Sequence, residues 1–123
     1  MTTNILAIDH IQIAAPEGCE EKARAFYGGI LGLEELEVPL ALRDRACCWF
    51  QCGQLQVHIG IERNFQPSKR AHPAFLIRYI DALKEIFQFH GIATVDDSDL
   101  PGARRFFAED LWGNRLEFLE RSA

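Results

Sequence analysis

Three histidines and one glutamate have the types and spacing to hold a divalent ion: His10, His58, His72 and Glu117. Three imidazoles and a carboxylate, with no thiolate, suit Zn, Ni, Co, Fe(II) or Mn. Such a site keeps one or two coordination positions for water or substrate. His10 and His72 stand 62 positions apart, and His58 and Glu117 stand 59 apart, so the four recur as two matched pairs. A single histidine on a strand is more often a hydrogen-bonded structural residue. The matched recurrence is what sets these three apart. His90 precedes Gly91 at a helix end, where a cation suits the dipole, and is left outside the set. Glu62 shares the parity of His58 but falls at a strand end as a solvated charge, and Glu120 has the wrong parity relative to Glu117.

The elements that must position these residues follow from hydrophobic periodicity. Residues 5–14 are expected to alternate as a strand, with Asp9, Ile11 and Ile13 on one side and Ile8, His10, Gln12 and Ala14 on the other. Residues 19–31 carry apolar side chains at helical spacing, and Gly32 is placed to stop that helix. Strands are then expected over 33–38, 46–52 and 55–62, with Gly53-Gln54 as a tight turn between the last two. After a loop over 63–71 the same order returns: a strand over 72–78, a helix over 81–90, and strands over 92–96, 103–109 and 114–120. Trp112-Gly113-Asn114 makes the turn before the last strand.

The chain therefore reads as strand–helix–strand–strand–strand, twice: a pseudo-symmetric α+β fold of one domain, 1–123, with modules at about 5–62 and 71–120. In four strands, the first and last of each module, an apolar face opposes a face carrying one of the four ligands.

Composition narrows the class. The 123 residues are 48% hydrophobic and 25% charged, which suits one folded domain with a proper core. Net charge is −5, and Lys69-Arg70, in a Pro- and Ser-containing loop, is the one basic cluster, which argues against nucleic acid as a partner. No apolar stretch approaches the roughly 20 residues that span a bilayer, and residues 1–8 lack the features of a secretory signal. A cytoplasmic protein with no membrane partner is expected. There Cys19, Cys47, Cys48 and Cys52, which form no CxxC pair, are expected to be buried free thiols.

Three stretches closely resemble the vicinal oxygen chelate superfamily, which includes glyoxalase I, bleomycin and fosfomycin resistance proteins and extradiol dioxygenases. They are Ile8-Asp9-His10-Ile11-Gln12-Ile13, Phe26-Tyr27-Gly28-Gly29-Ile30-Leu31-Gly32-Leu33, and Asp110-Leu111-Trp112-Gly113-Asn114-Arg115-Leu116-Glu117-Phe118. The resemblance covers nearly the whole chain. It implies paired βαβββ modules forming an open, cupped mixed sheet around a metal, with helices on the outer face and His10, His58, His72 and Glu117 as ligands. Single-domain members often form dimers. A homodimer is therefore expected, with His10 and His58 from one subunit and His72 and Glu117 from the other.

Glyoxalase I usually has a glutamate where this chain has His58, and methylmalonyl-CoA epimerase usually has a glutamine. A histidine there can still serve as a base near neutral pH, so His58 and Glu117 are the expected catalytic residues. Extradiol dioxygenases use two histidines and one glutamate, which His10, His72 and Glu117 would provide, but those enzymes are generally longer. The cation-binding loop of fosfomycin transferases is not evident.

For substrate, one of Arg104 and Arg105 is expected to face the cup and pair with an anionic group, and Trp49 or Phe50, whichever faces in, to line it. The implied activity is that of a metal-dependent lyase, isomerase or dioxygenase. It would act on a small oxygenated substrate by chelating vicinal oxygens and stabilising enolate or oxyanion character. The alternatives are a metal-free protein that sequesters a drug or metabolite, as bleomycin-resistance proteins do, and a metal-bound sensor or scaffold without catalysis.

Overall fold

The computed structural model describes residues 3–122; Met1, Thr2 and Ala123, the ends of the expected domain span, lie outside the described residues. The chain divides into two compact units, Met1–Phe65 and Gln66–Ala123. Each is built on an open, four-stranded mixed sheet.

In the first unit the strands are β1 (His10–Ala15), β2 (Glu34–Leu36), β3 (Ala46–Cys52) and β4 (Leu55–Ile61), in the order β1-β4-β3-β2. β3 and β4 form an antiparallel hairpin in which Cys52 faces Leu55, and Gly53 takes the left-handed backbone (φ +57°) that the tight turn requires. β1 pairs in parallel with β4, from His10 opposite Gln56 to Ala15 opposite Ile61. The expected strand over 5–14 thus begins only at His10. The 5–8 segment is an unbroken apolar run rather than an alternating one and has no strand partner, because β4 starts at Leu55, and Ile5, Leu6 and Ile8 are exposed.

The first helix also departs from expectation. α1 (Glu20–Ala23) continues as a π-helix over Arg24–Ile30, and Leu31 N–H donates to the Phe26 carbonyl at 2.9 Å, five residues back. The consecutive residues Phe26 and Tyr27 are both fully buried, and Tyr27 packs against Phe50 with ring centroids 6.0 Å apart. A 3₁₀ turn, Leu40–Leu42, precedes β3. The cysteine expectation is corrected here. Cys19, at the start of α1, and Cys47, at the bulge of β3, have Cα atoms 6.4 Å apart and are joined as a disulfide. Cys48 and Cys52 remain free thiols.

The second unit repeats the plan with β5 (Ala74–Leu76), α2 (Ile80–Phe89), β6 (Val95–Asp97), β7 (Ala103–Glu109) and β8 (Arg115–Arg121), in the strand order β5-β8-β7-β6. β5 is parallel to β8 and shorter than the expected 72–78. α2 packs through Phe87, whose ring meets Phe106 and Phe118 edge-on at 5.6 and 5.3 Å, while Phe118 stacks on Phe75 at 5.4 Å. A buried ring in such a cluster contributes about 3–5 kcal/mol relative to alanine. Tyr79 is left-handed (φ +58°) at the entry to α2, and the Glu120 carboxylate accepts from its N–H at 2.9 Å.

In each unit, then, helix and aromatic core occupy one face of the sheet. Phe50, Val57 and Ile59 point that way in the first, and Phe106 and Phe118 in the second. The strand alternation turns His58, Arg105 and Glu117 to the other face, together with the rings of Trp49 and Phe107. No helix among the described residues is long and apolar enough to cross a membrane.

Candidate functional site

On the polar face of the first unit, register brings His58 opposite Trp49 on β3 and opposite Gln12 on β1. The His58 imidazole is layered between two rings. Trp49 stacks on it at 3.7 Å and 1° between planes, and His10 at 4.2 Å and 19°. Gln56 Oε1 lies 2.9 Å from His58 Nε2, so Nε2–H donates and Nδ1 keeps its lone pair. His10 Nδ1 lies 2.9 Å from Asp9 Oδ2, an acceptor, which leaves Nε2 as its lone-pair nitrogen. Burial holds the His58 pKa below its ordinary value; the His10 charge adds to this and Asp9 opposes it. Gly60 completes the surface, since a Cβ there would run into the Gln12 side chain.

Of Trp49 and Phe50, Trp49 is on the His58 face. Phe50 points to the core, fully buried, and lines nothing on the polar side.

In the second unit the loop before β5 is laced to β8. Ser68 N–H donates to Asn114 Oδ1 at 3.0 Å, Arg115 N–H to the Ser68 carbonyl at 2.9 Å, and Glu117 N–H to the Pro73 carbonyl at 3.1 Å. The Asp110–Asn114 stretch supports this lacing. Asp110 Oδ1 accepts from the Trp112 and Asn114 backbone N–H groups, and Gly113 supplies φ +95°. The result sets His72, which lies just ahead of β5, against Glu117: Nε2 to Oε1 is 2.8 Å. Nδ1 of His72 faces the Arg70 carbonyl at 2.8 Å.

Both nitrogens of His72 therefore face acceptors. Nδ1 carries hydrogen, and the position between Nε2 and the carboxylate calls for a proton or for a cation in its place.

Glu117 is 6% exposed. Its second oxygen, Oε2, accepts from Arg105 Nη1 at 3.1 Å, and Arg105 also pairs with Asp97. Burial pushes the Glu117 carboxyl up, but the hydrogen bonds and charges of His72 and Arg105 outweigh it and hold it below the ordinary carboxylate value. The pair of candidate arginines separates cleanly. Arg105 lies on the Glu117 face, whereas Arg104 points to the helix face and forks onto Asp81 of α2 at 2.8 and 3.0 Å.

Phe107 is opposite Glu117 on β7, with its ring edge-on to His72 at 5.6 Å and under the Arg115 guanidinium at 4.2 Å. Asp9, Gln56, Phe107 and Arg115 had not been singled out from sequence. Strand parity with His10, His58 and Glu117 was the available signal for Gln56 and Arg115. A triad of potential donors at the start of α1, Cys19, Glu20 and Cys47, has both sulfurs committed to the disulfide.

Among solved structures, a protein assigned to the glyoxalase family from Bacillus anthracis is 50% identical, with 99% of this chain and 100% of that one covered at a TM-score of 0.94. The chain belongs to the glyoxalase family, within the vicinal oxygen chelate superfamily. Two further structures share the glyoxalase fold. A lactoylglutathione lyase from Agrobacterium tumefaciens is 20% identical over 96% of each chain (TM-score 0.73), and a glyoxalase/dioxygenase from Nostoc punctiforme is 23% identical over 100% of each (TM-score 0.75). No family model matches the chain, and no curated protein does.

The donor chemistry of this glyoxalase family chain fits a divalent ion. Each of the three histidines engages one ring nitrogen with an acceptor of the kind that orients a metal-bound imidazole, and His72 and Arg105 hold the buried Glu117 carboxyl below its ordinary value.

Proposed function

We propose that the chain is a divalent-metal-dependent enzyme acting on a small oxygenated substrate, with His10, His58, His72 and Glu117 as the metal donors. In this reading the two units serve as one glyoxalase-like domain. The observation that carries it is the His72–Glu117 contact at 2.8 Å, in which Nδ1 is already committed to the Arg70 carbonyl and Nε2 is aimed at a carboxylate. A bound ion would supply Lewis-acid stabilisation of negative charge developing on substrate oxygens.

The chain's own residues do the rest. His58, whose burial disfavours the imidazolium and whose Nε2–H is on Gln56, offers Nδ1 as metal donor or proton acceptor. Trp49 fixes the plane of that imidazole. Arg105 brings positive charge to the same face as Glu117.

The test is elemental analysis of protein purified without chelator or affinity nickel, beside the His72→Ala, Glu117→Gln and His90→Ala variants. About one transition metal per chain is expected in the parent and in His90→Ala. Glu117→Gln should weaken binding by at least about a hundredfold, the upper end seen when only a supporting residue is removed. Equal retention by Glu117→Gln and His90→Ala would discard this ligand set.

One contact favours a second reading, a metal-free protein that sequesters a small metabolite or drug. Arg105 on Glu117 at 3.1 Å already balances the carboxylate. No metal in the purified protein, and none taken up on titration, would select that reading.

A further inference from the structure

The second unit carries a groove of about 720 Å³. Its walls are mostly apolar, with Ile92, Val95, Phe107 and Leu111 facing it, and Val95 and Leu111 keep 65% and 39% of their surface exposed. Four charged side chains line it, two cationic and two carboxylate. Three of them are occupied. Lys69 Nζ donates to Glu109 Oε2 at 3.0 Å and to the Gly113 carbonyl at 2.8 Å, and Asp110 accepts from the Trp112 and Asn114 backbone N–H groups.

Arg115 is the exception. It makes no ion pair with the described residues, and its guanidinium lies over the Phe107 ring at 4.2 Å. A guanidinium stacked in this way spends its face on the ring and keeps its N–H donors for an acceptor, in the fork that matches a carboxylate. Lys69 and Glu109 pair with each other, and Asp110 is held by neutral N–H donors. Arg115 is thus the one cation there with donors to offer, which suits one carboxylate, while the buried negative charge of Asp110 disfavours a dianion.

We propose that this groove binds a small amphipathic monocarboxylate, with its carboxylate on Arg115 and its apolar body against Phe107 and Val95. The inference rests on the reading of the Glu117 face as the reactive one, since Phe107 is the cross-strand partner of Glu117 and its ring meets His72. It names the substrate class for that face: a molecule whose oxygenated end is presented beyond Phe107 while its acid is held at Arg115.

Calorimetric titration of metal-stripped protein tests it, with 3-phenylpropionate as the probe and 3-phenylpropan-1-ol as its uncharged match. The acid is expected to bind about tenfold or more tighter than the alcohol, the scale of one charge-assisted hydrogen-bonded pair. Arg115→Gln should abolish the preference and leave the alcohol's affinity unchanged. Equal binding of acid and alcohol by the parent protein overturns the proposal without recourse to any variant, as does a preference that survives in a folded Arg115→Gln. Metal uptake measured in parallel separates the two readings. Acid preference without metal binding upholds the groove and removes the metal. Metal binding without acid preference does the reverse.

Discussion

The imidazole of His58 lies flat on the indole of Trp49, 3.7 Å between ring centroids and 1° from parallel. Cross-strand register places the two directly opposite each other, so the stack is fixed by the β3–β4 hairpin itself. An imidazolium quenches indole emission more strongly than a neutral imidazole. In a Trp112→Phe background, the emission of metal-stripped protein should fall on acidification with a midpoint below 6.5, the ordinary histidine value. His58→Gln should remove that transition. The same shift has a sign for stability. With its folded value depressed, His58 supports the fold fully above 6.5 and loses that support as pH falls through the lower folded value. A midpoint above 6.5 would contradict the burial assigned to this ring.

Arg105 and Glu117 form the second informative relationship, 3.1 Å apart on a largely buried face. Arg105→Gln leaves a buried carboxylate with His72 as its remaining side-chain partner, a loss of about 1–3 kcal/mol at neutral pH. Because Glu117 and Asp97 are both held below their ordinary values, their contribution is present above the carboxylate range and is lost as pH falls through the folded values. Thermal unfolding of metal-stripped protein should therefore separate parent and variant at pH 7, with a gap that narrows as pH falls below the ordinary carboxylate range. An undiminished gap at the acid end would mean that Arg105 acts through packing.

The cysteines make a countable prediction. Burial pushes the Cys48 thiol up to about 11, so iodoacetamide near pH 8 should leave it unlabelled in the folded protein. Denaturation without reductant should expose two alkylatable sulfurs, Cys48 and Cys52, and reduction should bring the number to four. Four labels without reductant would remove the Cys19–Cys47 bond.

Subunit composition is read by mixing. If one site draws His10 and His58 from one chain and His72 and Glu117 from another, inactive His10→Ala and Glu117→Ala proteins should recover metal sites on exchange. Random pairing restores roughly a quarter of the native number, and preferred heterodimers up to about half. No recovery after exchange verified by mass would assign the site to a single chain.

How much of this was legible in the sequence depends on what each signal encodes. β3 and β7 lie where alternation put them, Ala46–Cys52 and Ala103–Glu109, and α2 is displaced by one residue, because period 2 and period 3.6 are local properties. Strand ends in parallel pairs are not local. β1 starts at His10 and β5 spans only Ala74–Leu76 because their partners β4 and β8 decide where hydrogen bonding begins and ends. The π-helix over Arg24–Ile30 has apolar content like that of an ordinary helix, and only the five-residue hydrogen bond tells them apart.

At the site, alternation placed His10, His58 and Glu117 on polar faces and separated Trp49 from Phe50 and Arg105 from Arg104. What it could not reveal was who meets whom. The His10–His58–Trp49 stack and the Arg105 bridge come from register between strands, and His72 is held by its preceding loop.

In both units the two antiparallel strands that meet as a hairpin are neighbours in the chain, whereas β1 must find β4, and β5 must find β8, across everything between them. Closing a long loop before any contact rewards it makes such pairings the late, rate-setting steps of folding. The histidines and the glutamate sit at those parallel seams. Under the proposed ligand set, the donor pairs would form only as each unit finishes folding, and a half-folded copy, with its hairpins already made, would have no grip on a metal.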